Sequence, residues 1–479
     1  MPHVVVVGAG PTGVVVAGLL ARLGVTSTVV DRHDGPYPRP RAVHLDGEAV
    51  RVLQRFGVAE EFAAISRPAS GLRLLDARLR PFAEFRRSSA AGHHGHPDAS
   101  LFDQPDLEAL LRAALPAGAV LRGGVEVTGV PEAGSVDLRD PGTGGTERLH
   151  ADAVLGCDGA DSTVRSAIGA GLRDLRFDQR WLVVDVRSRT PLPGWGGVDQ
   201  ICDPRRAATA MHLTGGRYRL EFRMRPGETP DGLVARLGEL TAPWLGHLPR
   251  DDWEVLRSAA YTFRARTADR WRRGRVLLLG DAAHLMPPFI GQGLGCGLGD
   301  AHNLAWKLAA VLHGRAGDDL LDTYQAERQR HVVAVTRAAV RVGTAMTGGR
   351  GLAAAVRRPV VAALLRVPGA QARALTGITT RYPPGAWADR RTRRSPLPGT
   401  VCPQPVVEVG GRRVLLDEVL GDGFALVSAG RVDAALRGRA EALGAVEVRV
   451  DALAGWLRAG RASAALLRPD RVVLGVTPA

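Results

Sequence analysis

Gly8-Ala9-Gly10-Pro11-Thr12-Gly13 is the first stretch whose residue types could do chemistry. Gly8 permits a tight turn, Gly10 lets backbone approach a pyrophosphate, and Gly13 lets a helix pack close to a strand. The N-terminus of that helix then turns its unpaired N–H groups and positive dipole end toward the phosphates. Asp31 stands 18 positions after Gly13, near the spacing of roughly 20 at which an acid meets a ribose hydroxyl. An acid at this point favours an adenosine ribose without a 2′-phosphate, and so FAD or NAD.

Two later stretches have a related form. Ala153-Val154-Leu155-Gly156-Cys157-Asp158-Gly159 reads as a strand ending in an Asp-Gly turn, with Ala160 to Arg165 as a capped helix start. Arg275 to His284 reads as a buried strand that delivers Gly280 and Asp281 at its carboxyl end, where open α/β sheets bind their ligands. Pro287-Pro288 follow, then Gly291-Gln292-Gly293-Leu294-Gly295-Cys296-Gly297, ahead of a helix expected from about Leu298. Four glycines in seven residues leave backbone bare, so it can lie against a flat ring. The helix N-terminus favours negative charge developing there, as on the pyrimidine side of a reduced flavin.

Cys157, Cys202, Cys296 and Cys402 lie far apart with no CxxC. Neither a zinc site nor a disulfide framework is therefore expected, and a reducing cytoplasm fits. Cys296 reads as a small residue filling a turn and Cys157 as packing. His93, His94, His96 and Asp98 lie on a Gly/Pro stretch without rigid ligand geometry; they read as an exposed loop, and no metal is expected.

A sheet and its flanking helices must position these residues. Val4 to Val7 is a buried parallel strand, Val14 to Leu23 a helix and Thr26 to Val30 a second strand, which makes a βαβ unit. Leu298, Ala301, Ala305, Leu308 and Leu312 recur at helical spacing and face a core. Between Asp174 and Arg266 the pattern turns to alternating strands, such as Trp181 to Val186 and Arg217 to Phe222. No second GxGxxG follows, so a nicotinamide cofactor has no Rossmann unit of its own.

The 479 residues exceed the roughly 100–200 of one domain, so two or three domains are expected. The net charge of +14 comes from arginines spread along the chain, with Lys307 the single lysine. That spread argues against a nucleic-acid patch, and the run Arg390, Arg391, Arg393, Arg394 reads as a solvated linker. No apolar run reaches the roughly 18 residues of a membrane span, and the N-terminus carries no signal-peptide pattern.

The three motifs together resemble the class A flavoprotein monooxygenases, the single-component aromatic hydroxylases of the p-hydroxybenzoate hydroxylase type, over roughly the first 340 residues. Arg39-Pro40-Arg41-Ala42-Val43-His44-Leu45-Asp46 and Phe102-Asp103-Gln104-Pro105-Asp106-Leu107 resemble the branch with 3-(3-hydroxyphenyl)propionate hydroxylase, to which polyketide-tailoring hydroxylases are close. The resemblance implies an α/β chain with a Rossmann-like FAD-binding domain, an inserted antiparallel-sheet substrate domain and a C-terminal thioredoxin-like domain. The FAD-binding domain is expected over residues 1–173 and 267–345, with strands from Gly71 to Phe85 joining the substrate layer of 174–266. A helical segment and linker fill 346–395. The thioredoxin-like part, 396–479, includes strands at Phe424 to Val427 and Val446 to Val450 and a helix at Val432 to Leu443; it lacks CxxC, so packing or dimerisation is its expected role.

Carried over by position, the resemblance puts Gly8, Gly10, Gly13 and Asp31 on the ADP half of FAD, and Arg41 and Gln104 on the pyrophosphate and ribityl chain. It implicates Asp158 in both FAD and NADPH binding, with Gly159 and Arg165 of the same motif at the cofactor, and puts Asp281, after Gly280, on the ribityl hydroxyls. Pro287 would line the ring edge, with Gly291, Gly293, Leu294 and Gly295 at the pyrimidine end. Many members carry Asn where this chain has Gly295, so any contact from that side chain is lost. His44 is the candidate base for a phenol substrate, and His284 would support the Asp281 loop.

The implied activity is FAD-dependent, NAD(P)H-consuming hydroxylation of a phenolic or polyketide-type aromatic by O₂, through a flavin C4a-hydroperoxide. The same chemistry used for epoxidation or Baeyer–Villiger insertion stays open, as does a non-catalytic flavoprotein; a halogenase is disfavoured by the missing WxWxIP. No nucleic-acid or membrane partner is implied, and a homodimer is possible.

Overall fold

Valine-rich and aliphatic runs form the centre of the molecule because both of their faces are covered. The computed structural model describes residues 1–38, 42–132, 134–192, 194–347, 380–382 and 395–479. Its central sheet has six strands in the order Arg272–Arg273, Val276–Leu278, Ala153–Gly156, His3–Val7, Thr26–Val30 and Ala119–Arg122, parallel throughout except for the first pair. Val4 to Val7 are almost wholly buried. All three motif loops leave the carboxyl ends of neighbouring strands in this sheet.

Helix Pro11–Arg22 opens on a proline, whose fixed φ suits a first helical position. It packs along helix Gly293–Leu312, and the two touch where Thr12 lies over Gly297; a Cβ on Gly297 would collide with the Thr12 hydroxyl. This second helix begins at Gly293, not near Leu298. Each interior glycine costs a helix about 1 kcal/mol against alanine, yet tertiary packing overrides that propensity. A Cβ on Gly299 would press on the Arg328 guanidinium.

A second sheet of eight strands runs in the order His284–Leu285, Trp253–Ala268, Leu172–Ser188, Arg217–Arg223, Ala208–His212, Val198–Ile201, Gly71–Leu75 and Pro81–Arg86. Its pairs are antiparallel except for Val198–Ile201 with Gly71–Leu75. The expected strand at Trp181 to Val186 is part of a longer one of 17 residues.

The C-terminal residues form a four-stranded sheet, Val446–Arg449, Ala425–Ser428, Ala462–Leu467 and Val473–Pro478, with the first pair parallel and the rest antiparallel. Helix Ala434–Ala442 stands at the expected place. This sheet domain docks through buried ion pairs. Asp417 binds both Arg51 and Arg471, and Arg468 bridges Glu327 and Asp470 beside Lys307.

Residues 93–98 are not the free exposed loop expected from their composition. Gln404 donates to the His94 carbonyl at 2.7 Å, and His96 pairs with Gln54 at 2.8 Å, so the loop is clamped against the C-terminal domain. The expected helical segment and linker lie mostly in 348–379 and 383–394, outside the described residues, as does the Arg390 to Arg394 run. No helix among the described residues is long and apolar enough to cross a membrane.

Candidate functional site

Gly8, in the left-handed region at φ +105°, turns the first strand toward helix Pro11–Arg22. A Cβ on Gly8 would meet the Cys157 carbonyl, and one on Gly13 would collide with the Gly8 carbonyl. A Cβ on Gly10 would meet none of the described residues within 4 Å, so this backbone is open on that side among them. Two glycines thus serve packing, while the third leaves bare backbone at a helix N-terminus. Asp31 accepts from the Ala9 N–H at 2.7 Å and from the His33 N–H at 2.8 Å, which holds the acid beside the glycine turn.

Gln104 is buried, with its amide oxygen on the Ala42 N–H at 2.7 Å and its amide nitrogen on Glu108 at 2.7 Å. It therefore anchors the segment running into His44. Arg41 lies outside the described residues.

Asp158 takes the Ser162 hydroxyl at 2.6 Å and the Val164 N–H at 3.1 Å, and burial raises its pKa. Gly159 follows it in the left-handed region, at φ +80°. Arg165 donates to the Ala160 carbonyl at 2.8 Å and to the Ala282 carbonyl at 3.1 Å. It ties the Asp158-Gly159 turn to the Gly280-Asp281 turn. The Asp281 side chain is exposed and has no hydrogen bond or ion pair among the described residues.

Beneath that turn lies a network which sequence motifs do not reveal. Asp300, wholly buried, accepts from the Gly280 N–H at 3.0 Å, pairs with His284 Nε2 at 2.7 Å and binds Arg328 Nε at 2.7 Å. Arg328 continues to the Cys296 carbonyl and the Tyr382 hydroxyl. His284 thus supports the loop through Asp300.

Pro287 is buried at the start of the turn Pro288–Ile290, and Gly291 closes that turn at φ +66°. The His44 ring packs on Gly291, with Nδ1 3.0 Å from its carbonyl oxygen. Burial, with Arg87 nearby, lowers the His44 pKa to about 4, so the ring is uncharged at neutral pH. Among the described residues a Cβ on Gly293 would meet nothing within 4 Å, as at Gly10, and one on Gly295 would make only ordinary contacts; Leu294 packs on the core. Burial pushes the Cys296 thiol up to about 12 and keeps it protonated. No group that could hold a metal occurs among the described residues.

The eight-stranded sheet meets this end of the site. Trp181 stacks on Phe263 with ring centroids 5.7 Å apart, and Phe177 and Trp181 each lie 5.6 Å from Phe289, in the turn after Pro287. Gln200 reaches from the sheet to the Phe289 carbonyl at 2.8 Å. Gln200, Glu221, Asp300 and Arg328 were not found by sequence reasoning. The one available signal was Arg217-Tyr218-Arg219-Leu220-Glu221-Phe222, whose alternation puts charged residues on one face of a strand.

The FAD binding domain family matches residues 1–339, and the HcaD C-terminal domain family matches residues 399–452. The chain is 34% identical to a 3-(3-hydroxy-phenyl)propionate/3-hydroxycinnamic acid hydroxylase of Mycolicibacterium smegmatis, over 98% of this chain and 90% of the relative. It is 33% identical to a probable NADH-specific resorcinol 4-hydroxylase of Rhodococcus jostii, over 99% and 91%. Among solved structures, aklavinone-11 hydroxylase in complex with FAD and aklavinone superposes with a TM-score of 0.80 at 27% identity, over 99% of this chain and 95% of that one.

Proposed function

Because the chain belongs to the FAD binding domain family of class A flavoprotein monooxygenases, we propose that its glycine-bordered cradle holds FAD and its eight-stranded sheet roofs the substrate. The protein is an FAD-dependent aromatic monooxygenase that uses NAD(P)H. One observation carries the placement of FAD. The open backbones at Gly10 and Gly293 stand at the N-termini of two helices locked together at Thr12 and Gly297. One elongated dinucleotide would lay its pyrophosphate on the first helix end and its ring on the second.

Gly8 and Gly13 shape that cradle, Asp31 reaches the ADP ribose, and Asp281 faces the ribityl chain from the loop that Arg165 and Asp300 hold. Gln104 fixes the chain leading to His44. Arg41, proposed on the pyrophosphate, completes the set. Pro287, Gly291, Gly293, Leu294 and Gly295 border the ring, and the neutral His44 keeps Gly291 in place. Held by these residues, FAD would supply the redox chemistry of an oxygenation step that uses NAD(P)H and O₂. The aromatic walls at Trp181, Phe263 and Phe289 exclude water from that step.

The C-terminal sheet order supports a thioredoxin-like domain. All four cysteines are free, which supports a reducing cytoplasm.

NAD(P)H oxidation by the FAD-loaded protein, measured with a panel of phenols, phenylpropionates and polycyclic aromatic ketones, tests the reading. One compound should raise the rate many-fold and gain one oxygen. Oxidation that no compound stimulates would sink it.

A further inference from the structure

Strand Arg217–Arg223 sends Tyr218, Leu220 and Phe222 into an apolar core with Leu233, Leu237 and Leu245. Side chains alternate along a strand, so Arg217, Arg219, Glu221 and Arg223 occupy its other face. In register, Glu221 pairs with Thr209, and Thr209 pairs with Gln200. The three form a polar row across three strands, and Gln200 ends it on the Phe289 carbonyl, beside the aromatic walls. The row therefore faces the turn that follows Pro287.

The row is rich in acceptors and poor in donors. Gln200 is 2% exposed, and its Oε1 has no hydrogen-bond partner among the described residues. Glu221 is 8% exposed, with the Thr209 hydroxyl as a donor beside it. Of the arginines on this face, Arg217 and Arg219 are committed to carboxylates, and Arg223 donates to the Thr347 carbonyl at 2.9 Å. Arg219 is bidentate on Asp185 at 2.7 and 2.9 Å, and Arg217 holds Asp103 and Asp106 at 2.8 and 2.5 Å. From strand Trp253–Ala268, on the far side of Leu172–Ser188, Arg257 binds Asp185 at 2.6 Å and also reaches Asp103. Buried acceptors without donors are costly, and a ligand that brings O–H groups removes the cost. A ligand carboxylate would need a free guanidinium and would be repelled by Glu221.

We propose that Glu221 and Gln200 receive the ring hydroxyl of a neutral, hydroxylated aromatic substrate, and that Glu221 takes its proton. This rests on the reading of the eight-stranded sheet as the substrate layer. In the step the phenol O–H bond breaks, a carboxyl O–H bond forms on Glu221, and the electron pair stays on the substrate oxygen. The pair delocalises onto the ring carbons ortho and para to it, which activates them toward electrophilic oxygen; no electrons are transferred between molecules. Burial raises the Glu221 pKa to about 7, with Arg219 lowering it and Asp185 raising it. A base of that strength suits neutral pH.

The test uses the FAD-loaded protein with two probes, resorcinol and 3-(3-hydroxyphenyl)propionate. Each is titrated against the flavin absorbance, and coupled turnover is followed from pH 5.5 to 8.5. Resorcinol should bind at least tenfold tighter than the propionate, and kcat/KM should rise with pH through about 7. Glu221→Gln should keep FAD, lower kcat about 100-fold or more and lose that rise, Glu221→Asp should retain it, and Gln200→Ala should raise KM. If the propionate binds better, or Glu221→Gln keeps the wild-type pH profile, this inference falls while the substrate-layer reading stands. If neither probe perturbs the flavin or drives turnover in the wild type, the substrate-layer reading fails and takes the inference with it.

Discussion

The dinucleotide cradle and the inner face of the eight-stranded sheet solve opposite problems. In the proposed cradle the glycines leave backbone bare, where a ligand would come close. On the sheet, the positions are side chains from separate strands, brought together by register. A cradle of this kind tolerates no added atom where strand meets helix, whereas a row such as Gln200, Thr209 and Glu221 tolerates shape changes and fails when chemistry changes. The cradle suits a ligand that many chains share, and the sheet suits one that differs from chain to chain.

The largest effect that sharpens this contrast belongs to Gly13→Ala, whose methyl would collide with the Gly8 carbonyl. Rigid backbone on both sides makes a loss of about 4 kcal/mol or more the expected outcome. Soluble holoprotein should be absent by size exclusion and flavin absorbance. Trp181→Ala empties a fully buried site on the sheet, at about 3–5 kcal/mol. The protein that still folds should retain FAD and lose substrate binding; loss of FAD instead would break the proposed division of labour.

Asp300→Asn leaves Arg328 buried without its anion, an expected loss of about 3 kcal/mol. Thermal unfolding should show it, with weakened flavin binding because the Gly280 turn is held by the same carboxylate. The smallest effect is the most discriminating. Gly10→Ala meets no described atom within 4 Å, so the Tm of the FAD-free protein should fall only by the small cost of alanine at a helix N-cap. FAD affinity should fall about tenfold, or about 1.4 kcal/mol. An unchanged affinity would show that no ligand approaches this backbone.

Much of the cradle was legible in the chain because its requirements are local. Gly8, Gly10, Gly13 and Asp31 lie on one βαβ unit, and each glycine answers a constraint within a few residues or one strand away. The helix start at Gly293 was misplaced because glycine content speaks against a helix, while the reasons for Gly297 and Gly299 are Thr12 and Arg328, distant in sequence. The clamped loop at His94 was missed for the same reason, since Gln404 stands 310 residues away.

The sequence by itself determined the order of strands and turns that makes a dinucleotide fold, because short-range backbone geometry and hydrophobic period act on neighbouring residues. Tertiary structure alone decided that Asp300 would carry the Gly280 turn, and that Gln200, Thr209 and Glu221 would share one row. Strand register between distant segments sets which buried side chains face each other, and a one-residue slip would send Glu221 to the opposite face.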